Sequence, residues 1–181
     1  MKIILASGSP RRAKILENLG VDFEILKTDA AEVSFGSEPE RTVRENAMAK
    51  WRTACAAVGV GGGRHILSAD TIVWFVGRIY GNPRDLAEAR VYLRELSGRT
   101  HTVFTGVVFD GEAKVVRSDV TFRELSDGQI EKYVGLVRPT DRAGAYDVDD
   151  SGDVIVAGWT GSFENIMGLP VEPLREWGLV K

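Results

Sequence analysis

The chain has 181 residues, 44% hydrophobic and 27% charged, which is the composition of a soluble globular protein with room for one well-buried core. Its formal net charge of -3 argues against a protein that coats nucleic acid or an anionic membrane, because no basic excess exists to displace counterions. Cys55 is the sole cysteine, which excludes a disulfide framework and a cysteine-based zinc site, and no apolar run has membrane length. Met1 leads straight into the first strand with no signal peptide, so the expected location is cytoplasmic.

Ile3-Ile4-Leu5 is a short apolar run, as in a strand buried on both faces, and Ser7 and Gly8 break it. Ser9 then offers an N-cap and Pro10 suits a first helical position. Ile15, Leu16 and Leu19 recur at helical spacing until Gly20. Arg11 and Arg12 therefore fall in a first helical turn, where cations oppose the macrodipole. An anion held between the free amides and the two guanidinium groups would remove the conflict; the alternative is two solvated arginines that tolerate it. Residues 21–26 alternate as a strand, and 28–38 form a polar loop with Asp29 and Glu32. Ser37-Glu38-Pro39-Glu40 reads as a capping box for a helix reaching about Val58. Lys50 lies on that helix's apolar side with Val43, Ala47 and Ala54, so its ammonium either snorkels out or points into a cleft. Residues 59–63 predict a glycine-rich link, without the Gly-Lys-Ser/Thr of a P-loop.

Residues 65–69 and 71–76 read as strand, interrupted by Asp70 in a run too apolar for an unpaired charge. Asp70 sits either at the mouth of a sheet or where a turn donates hydrogen bonds to it. Gly77-Arg78 predicts a hairpin turn, and Ile79 and Tyr80 lead on to Gly81-Asn82-Pro83. A helix ending at Leu96 then turns Leu86, Ala89, Leu93 and Leu96 inward. Residues 102–109 and 114–122 pair around Asp110-Gly111. Ser126-Asp127-Gly128-Gln129 is a capping box for a helix that Pro139 ends. An acidic loop at 141–153 precedes a strand at 154–157 and a short C-terminal helix around Leu174 and Trp177. His65 and His101 stand apart and read as packed or hydrogen-bonded residues rather than metal ligands. Alternating strands and helices with an intervening hairpin predict an α/β protein with a mixed sheet.

Six fragments stand apart from core-building sequence. They are Ser7-Gly8-Ser9-Pro10-Arg11-Arg12, Ser68-Ala69-Asp70-Thr71, Ser97-Gly98-Arg99-Thr100-His101 with Thr105-Gly106, Asp141-Arg142-Ala143-Gly144-Ala145-Tyr146, Gly161-Ser162, and Asn165-Ile166-Met167-Gly168-Leu169-Pro170. In order and spacing from Ala6 to Pro170, the chain resembles the Maf family of nucleoside triphosphate pyrophosphatases. The resemblance implies an α/β fold with a mixed twisted sheet and flanking helices. It also implies that residues 1–181 form one domain of two lobes around a central cleft, similar to the inosine-triphosphate pyrophosphatases. The implied reaction is metal-dependent hydrolysis of a nucleoside triphosphate, either dTTP/UTP or a modified or non-canonical nucleotide, to the monophosphate and pyrophosphate, with Mg2+ or Mn2+ as cofactor. The implied partner is the nucleotide, with no nucleic acid and no membrane, and homodimers occur in the family.

Position by position, the resemblance assigns Ser7, Arg11 and Arg12 to phosphates, Lys50 and Asp70 to catalysis, and Glu32 and Asp70 to the metal. Asp70 matches the proton acceptor, while Arg12 and Thr71 match positions linked to substrate choice. The residue types suit such chemistry, since attack of water on a phosphoryl centre needs a carboxylate and cations that stabilise the charged oxygens. The Asp141 to Tyr146 run is similar to the branch acting on dTTP and UTP, with Arg142 where that branch has Lys. Two departures stand out. Asn82 replaces a family lysine, and Asp147-Val148-Asp149-Asp150 replaces Gly-Ile-Gln-Gly. Asp149 thus takes the place of the glutamine associated with pyrimidine specificity and is expected to border the base. The rival reading, from another class, is a catalytically weak nucleotide-binding regulator of cell division and septum formation.

Overall fold

A computed structural model describes residues 1–59 and 63–181. Most of the glycine-rich link predicted over 59–63 thus lies outside the described residues. The first strand, β1 (Ile3–Ala6), is buried at every position, as its unbroken apolar sequence requires. It pairs in parallel with β2 (Phe23–Ile25) on one side and β3 (His65–Phe75) on the other. From β3 the sheet continues antiparallel through β5 (Thr100–Phe109), β6 (Glu112–Phe122) and β7 (Val156–Thr160), while β4 (Arg78–Tyr80) folds back on β3. Among the described residues the result is a seven-stranded mixed sheet with flanking helices, as expected.

The helices are α1 (Pro10–Asn18), α2 (Pro39–Val58), α3 (Leu86–Leu96), α4 (Asp127–Leu136), α5 (Phe163–Met167) and α6 (Val171–Glu176). One apolar cluster joins α3 and α4 to the sheet through Leu93, Leu96, Ile130, Tyr133, Val103 and Phe122. Another packs α1 and α6 against β1 and β3 through Leu16, Leu174, Leu5 and Leu67. The long helix α2 crosses the sheet over β3 and β5. A Cβ added at Gly106 would lie 2.4 Å from the Val43 carbonyl oxygen, so only glycine allows the helix backbone this close. Gly106 stands directly opposite Asp70 in the β3–β5 ladder. Its missing side chain therefore brings α2 down onto the face from which Asp70 projects.

Several elements differ from their sequence reading for identifiable reasons. Asp70 does not interrupt its strand: β3 runs through it, because the carboxylate finds partners on α2. The β3–β4 turn is Val76-Gly77, with φ of 45° and 77°, one residue earlier than read. The α2 capping box is absent. Glu38 is the N-cap with no side-chain cap bond, and the Thr42 hydroxyl instead accepts from the Phe35 amide and donates to the Glu38 carbonyl. Leu86 opens α3 and is exposed, whereas Tyr92 is buried in its stead. The capping box of α4 is present in both halves. The predicted strand at 154–157 starts later, at Val156, after a 3-10 turn over Gly152–Val154. No described helix is long and apolar enough to cross a membrane.

His101 is a core residue, as expected. Its ring is buried edge-on to Phe122 and Tyr146, with Nε2 2.9 Å from the Tyr146 hydroxyl. Burial lowers its pKa from 6.5 to about 4, so the folded protein excludes a proton that the unfolded chain binds. The stability this neutral ring contributes is complete above the unfolded pKa and is lost as pH falls through that window, by up to about 3 kcal/mol. Urea unfolding of wild type and His101→Gln from neutral pH to about pH 4 checks this. The wild-type loss on acidification is expected to shrink in the variant, and parallel curves would assign it to other groups.

Candidate active site

A cavity of about 750 Å³ opens beside the carboxyl end of β1, between the Ser7–Arg12 turn, β3, the start of α2 and the 141–148 loop. Its first wall follows from local sequence. Ser7 and Gly8 end the strand, Ser9 precedes Pro10 at the start of α1, and the first-turn amides have no intrahelical acceptor. The Ser9 side chain makes no capping bond; the Ser7 hydroxyl instead accepts from the Ser9 amide at 3.2 Å and from Arg12 at 2.9 Å. The two arginines then diverge. Arg12 turns inward and is buried, its Nε donating to the Gly168 carbonyl at 2.7 Å and its far nitrogen to the Thr71 hydroxyl at 3.0 Å. Thr71 is linked in turn to Thr105 at 3.0 Å, and Thr105 donates to the Asn165 carbonyl at 3.1 Å. Each of these partners is a neutral oxygen. Burial lowers the Arg12 pKa to about 10, only partly offset by the Asp70 charge, so the guanidinium stays protonated at neutral pH.

The second wall is Asp70 with what α2 brings to it. Asp70 is 6% exposed. One carboxylate oxygen accepts from the Lys50 ammonium at 2.5 Å and the other from the Asn46 amide at 3.1 Å. Asn46 and Lys50 are four residues apart, hence on one face of α2, the face that Gly106 draws onto the sheet. Lys50 therefore points into the cleft, and its ammonium also lies 2.8 Å from Glu32 on the preceding loop. Asn46 holds that loop through paired bonds to the Val33 amide and carbonyl, at 2.8 and 3.1 Å.

The third wall is the 141–150 segment. Gly144 has φ of 69° and its amide donates to the Gly81 carbonyl, which sets Asn82 against the cavity beside Ala143 and Tyr146. Asp147 is buried. One of its oxygens accepts from the amides of Asp149 and Asp150, at 2.8 and 3.3 Å, and the other from Arg142 Nε at 2.9 Å. Arg11 approaches that second oxygen at 3.6 Å.

Ser7, Arg11, Arg12, Glu32, Lys50, Asp70 and Thr71, far apart in sequence, thus border one cavity. Asp149 is the exception. The turn that Asp147 imposes on 147–150 directs the Asp149 carboxylate outward to Lys14, at 2.6 Å on the exposed side of α1, and the acid facing the cavity is Asp147.

The sequence model of the Maf family, described as Maf-like protein, matches residues 2–177. The chain belongs to the Maf family. Curated relatives named dTTP/UTP pyrophosphatase, from Bacillus anthracis and Bacillus cereus, are 41% identical over 179 residues, covering 96% of this chain and 92% of theirs. The relative of that name from Bacillus thuringiensis subsp. konkukian is 40% identical over 178 residues, with the same coverage. The solved structure of protein VC0702 from Vibrio cholerae aligns with 75% of this chain and 70% of its own at TM-score 0.39 and 14% identity, too slight a likeness to carry an argument.

Sequence reading assigned neither Asn46 nor Asp147 to the cavity, nor Arg142 to holding Asp147. Asn46 carried a usable signal, an amide four residues before Lys50 on the same apolar helix face. Asp147 was noted only as part of a departure from the family pattern and Arg142 only as a motif residue, since an acid and a base in a charged loop are usually solvated and nothing local pairs them.

Proposed function

We propose that this Maf protein hydrolyses a nucleoside triphosphate to the monophosphate and pyrophosphate, with dTTP and UTP as first candidates because the curated relatives carry that name. The observation that carries the reading is Arg12. It is a buried guanidinium whose hydrogen bonds all go to neutral oxygens, at the edge of a cavity that also receives free helix amides and Lys50. A buried charge calls for a counter-charge, and a phosphate supplies one along with acceptors for the remaining guanidinium hydrogens.

Asp70 is the base in this reading. Lys50 and Asn46 fix its two oxygens, and from there it orients the attacking water and takes its proton. Lys50 and Arg12 stabilise negative charge that builds on the phosphoryl oxygens and on the departing pyrophosphate. Thr71, held by Arg12 and Thr105, orients the nucleotide. Ser7 and Arg11 bind the phosphate chain at the start of α1.

The donor set suits a divalent cation. Glu32 and Asp70 oxygens already converge on one positive charge, the Lys50 ammonium, at 2.8 and 2.5 Å. Glu32, Asp70, Asp141 and Asp147 also outnumber Arg11, Arg12 and Lys50 in the lining, so a polyphosphate needs added positive charge to enter. Glu32 and Asp70 would hold Mg2+ or Mn2+ together with phosphate oxygens, and the ion would supply Lewis-acid stabilisation of the phosphate charge.

The purified protein assayed with Mg2+ or Mn2+ on dTTP, UTP, CTP, GTP and ATP tests the reading. Stoichiometric pyrophosphate and monophosphate, led by dTTP and UTP, are the expected products. Orthophosphate with a nucleoside diphosphate, or no turnover on any nucleotide, would overturn it.

A further inference from the structure

The Arg11–Asp147 contact is unequal in a way that gives it a role of its own. Asp147 is satisfied without Arg11: two backbone amides hold one oxygen and Arg142 Nε holds the other at 2.9 Å. Arg11 stands 3.6 Å from that second oxygen, close enough for charge attraction but beyond hydrogen-bond length. Its other described contact is a long one, 3.4 Å to the Asp141 carbonyl. Arg11 is therefore held at the cavity by a buried charge and by little directed bonding, with most of its donors still available. Both side chains line the cavity, so an anion arriving there meets the guanidinium and the carboxylate together.

We propose that Asp147 is a positioning residue that exchanges Arg11 with the substrate: its carboxylate holds the guanidinium at the cavity wall in the free protein, yields it to a phosphate on binding, and recaptures it as pyrophosphate leaves. The inference rests on the pyrophosphatase reading above. Its consequence is that the Asp147 charge weakens retention of the pyrophosphate product and so favours its release. An anion that recruits Arg11 must compete with a buried negative charge for the same guanidinium, where solvent screens poorly. Removing that charge tightens the anion more than removing a carboxylate from the exposed side of α1. Asp147→Asn keeps the side-chain oxygen that accepts the Asp149 and Asp150 amides but turns an amide toward Arg142 Nε, so the turn is expected to hold at some cost in stability.

Calorimetric binding of inorganic pyrophosphate, which needs no turnover, tests the exchange in wild type, Asp147→Asn, Arg11→Gln and the double variant. Asp147→Asn is expected to bind pyrophosphate roughly tenfold more tightly and to show correspondingly stronger product inhibition. The gain is expected to fall below about twofold in the Arg11→Gln background, because the two residues act as a unit. Glu17→Gln, which removes a charge from the exposed face of α1, is expected to change affinity little. Unchanged or weaker pyrophosphate binding in Asp147→Asn would overturn the proposal, as would an equal gain with and without Arg11. Should the asparagine variant not fold, Asp147→Ser offers a hydroxyl to the same amides; failure of both makes Asp147 purely structural and also overturns it. If wild type hydrolyses nucleotides and the binding cycle is flat, only this inference fails. If no nucleotide is hydrolysed, the function itself is wrong.

Discussion

Asp70→Asn is expected to lower turnover at least ~100-fold, the usual consequence of removing a positioned acid–base group. The substitution keeps the shape of a 6%-exposed side chain and the oxygen that Lys50 contacts, so the sheet around it is expected to stay intact. Its new amide would face the Asn46 amide, which now donates to Asp70 at 3.1 Å, and two donors cannot satisfy each other. A stability loss of about 1–2 kcal/mol is therefore expected alongside the loss of turnover. Denaturant unfolding separates the two effects, because a loss that small leaves the protein folded under assay conditions. Near-wild-type turnover by the folded variant would remove Asp70 from the chemistry and leave Lys50 with a purely structural ion pair.

Arg12→Ala is expected to weaken triphosphate binding by roughly 1.5–3 kcal/mol, as for the loss of hydrogen bonds to a charged group, and more than Arg11→Ala does. The order follows from placement. Arg12 is fixed by Gly168, Ser7 and Thr71 before any ligand arrives, while Arg11 must be drawn from Asp147. Arg12→Lys is expected to recover little, because a lysine keeps the charge but cannot present the fork that reaches Gly168, Ser7 and Thr71 together. Calorimetry with a non-hydrolysable triphosphate and with a monophosphate is the check. The Arg12 effect is expected to shrink for the monophosphate if the guanidinium reaches the outer phosphates. Equal weakening for both nucleotides would move Arg12 away from them, and unchanged affinity would reject the anion site.

These expectations rest on features that were unequally legible in the chain. The course of the Ser7 to Arg12 turn could be read, though not the absence of a Ser9 capping bond, because a strand end, a turn and a helix start are set by neighbours within a few residues. The same reading did not separate Arg11 from Arg12, although the pattern does. Arg12 stands three, four and seven residues before Ile15, Leu16 and Leu19, so helical spacing already places it on the buried face; the Gly168 carbonyl then fixes its guanidinium. Asp70 was conspicuous as a charge in an apolar strand, yet its strand was read as broken, because the partners that neutralise it lie on another element. For Lys50, sequence left two directions open, and the close approach of α2 at Gly106 chose between them.

By itself the sequence determined what depends on short-range pattern: the mixed α/β class, most elements, the anion-suited turn, and the family through six motifs in order. Tertiary structure alone decided which charges meet. It joined Asp70 to Lys50 and Asn46, turned Asp149 out to Lys14, and set Asp147 inside against Arg142 and Arg11. The physical reason is that a charged side chain finds its partner through space at a few ångströms, and chain distance carries no information about that separation. The 147–150 turn shows this most directly. Two amide bonds to one buried carboxylate oxygen reverse which acid faces the cavity, and nothing in a run of three aspartates within four residues indicates which of them the fold will bury.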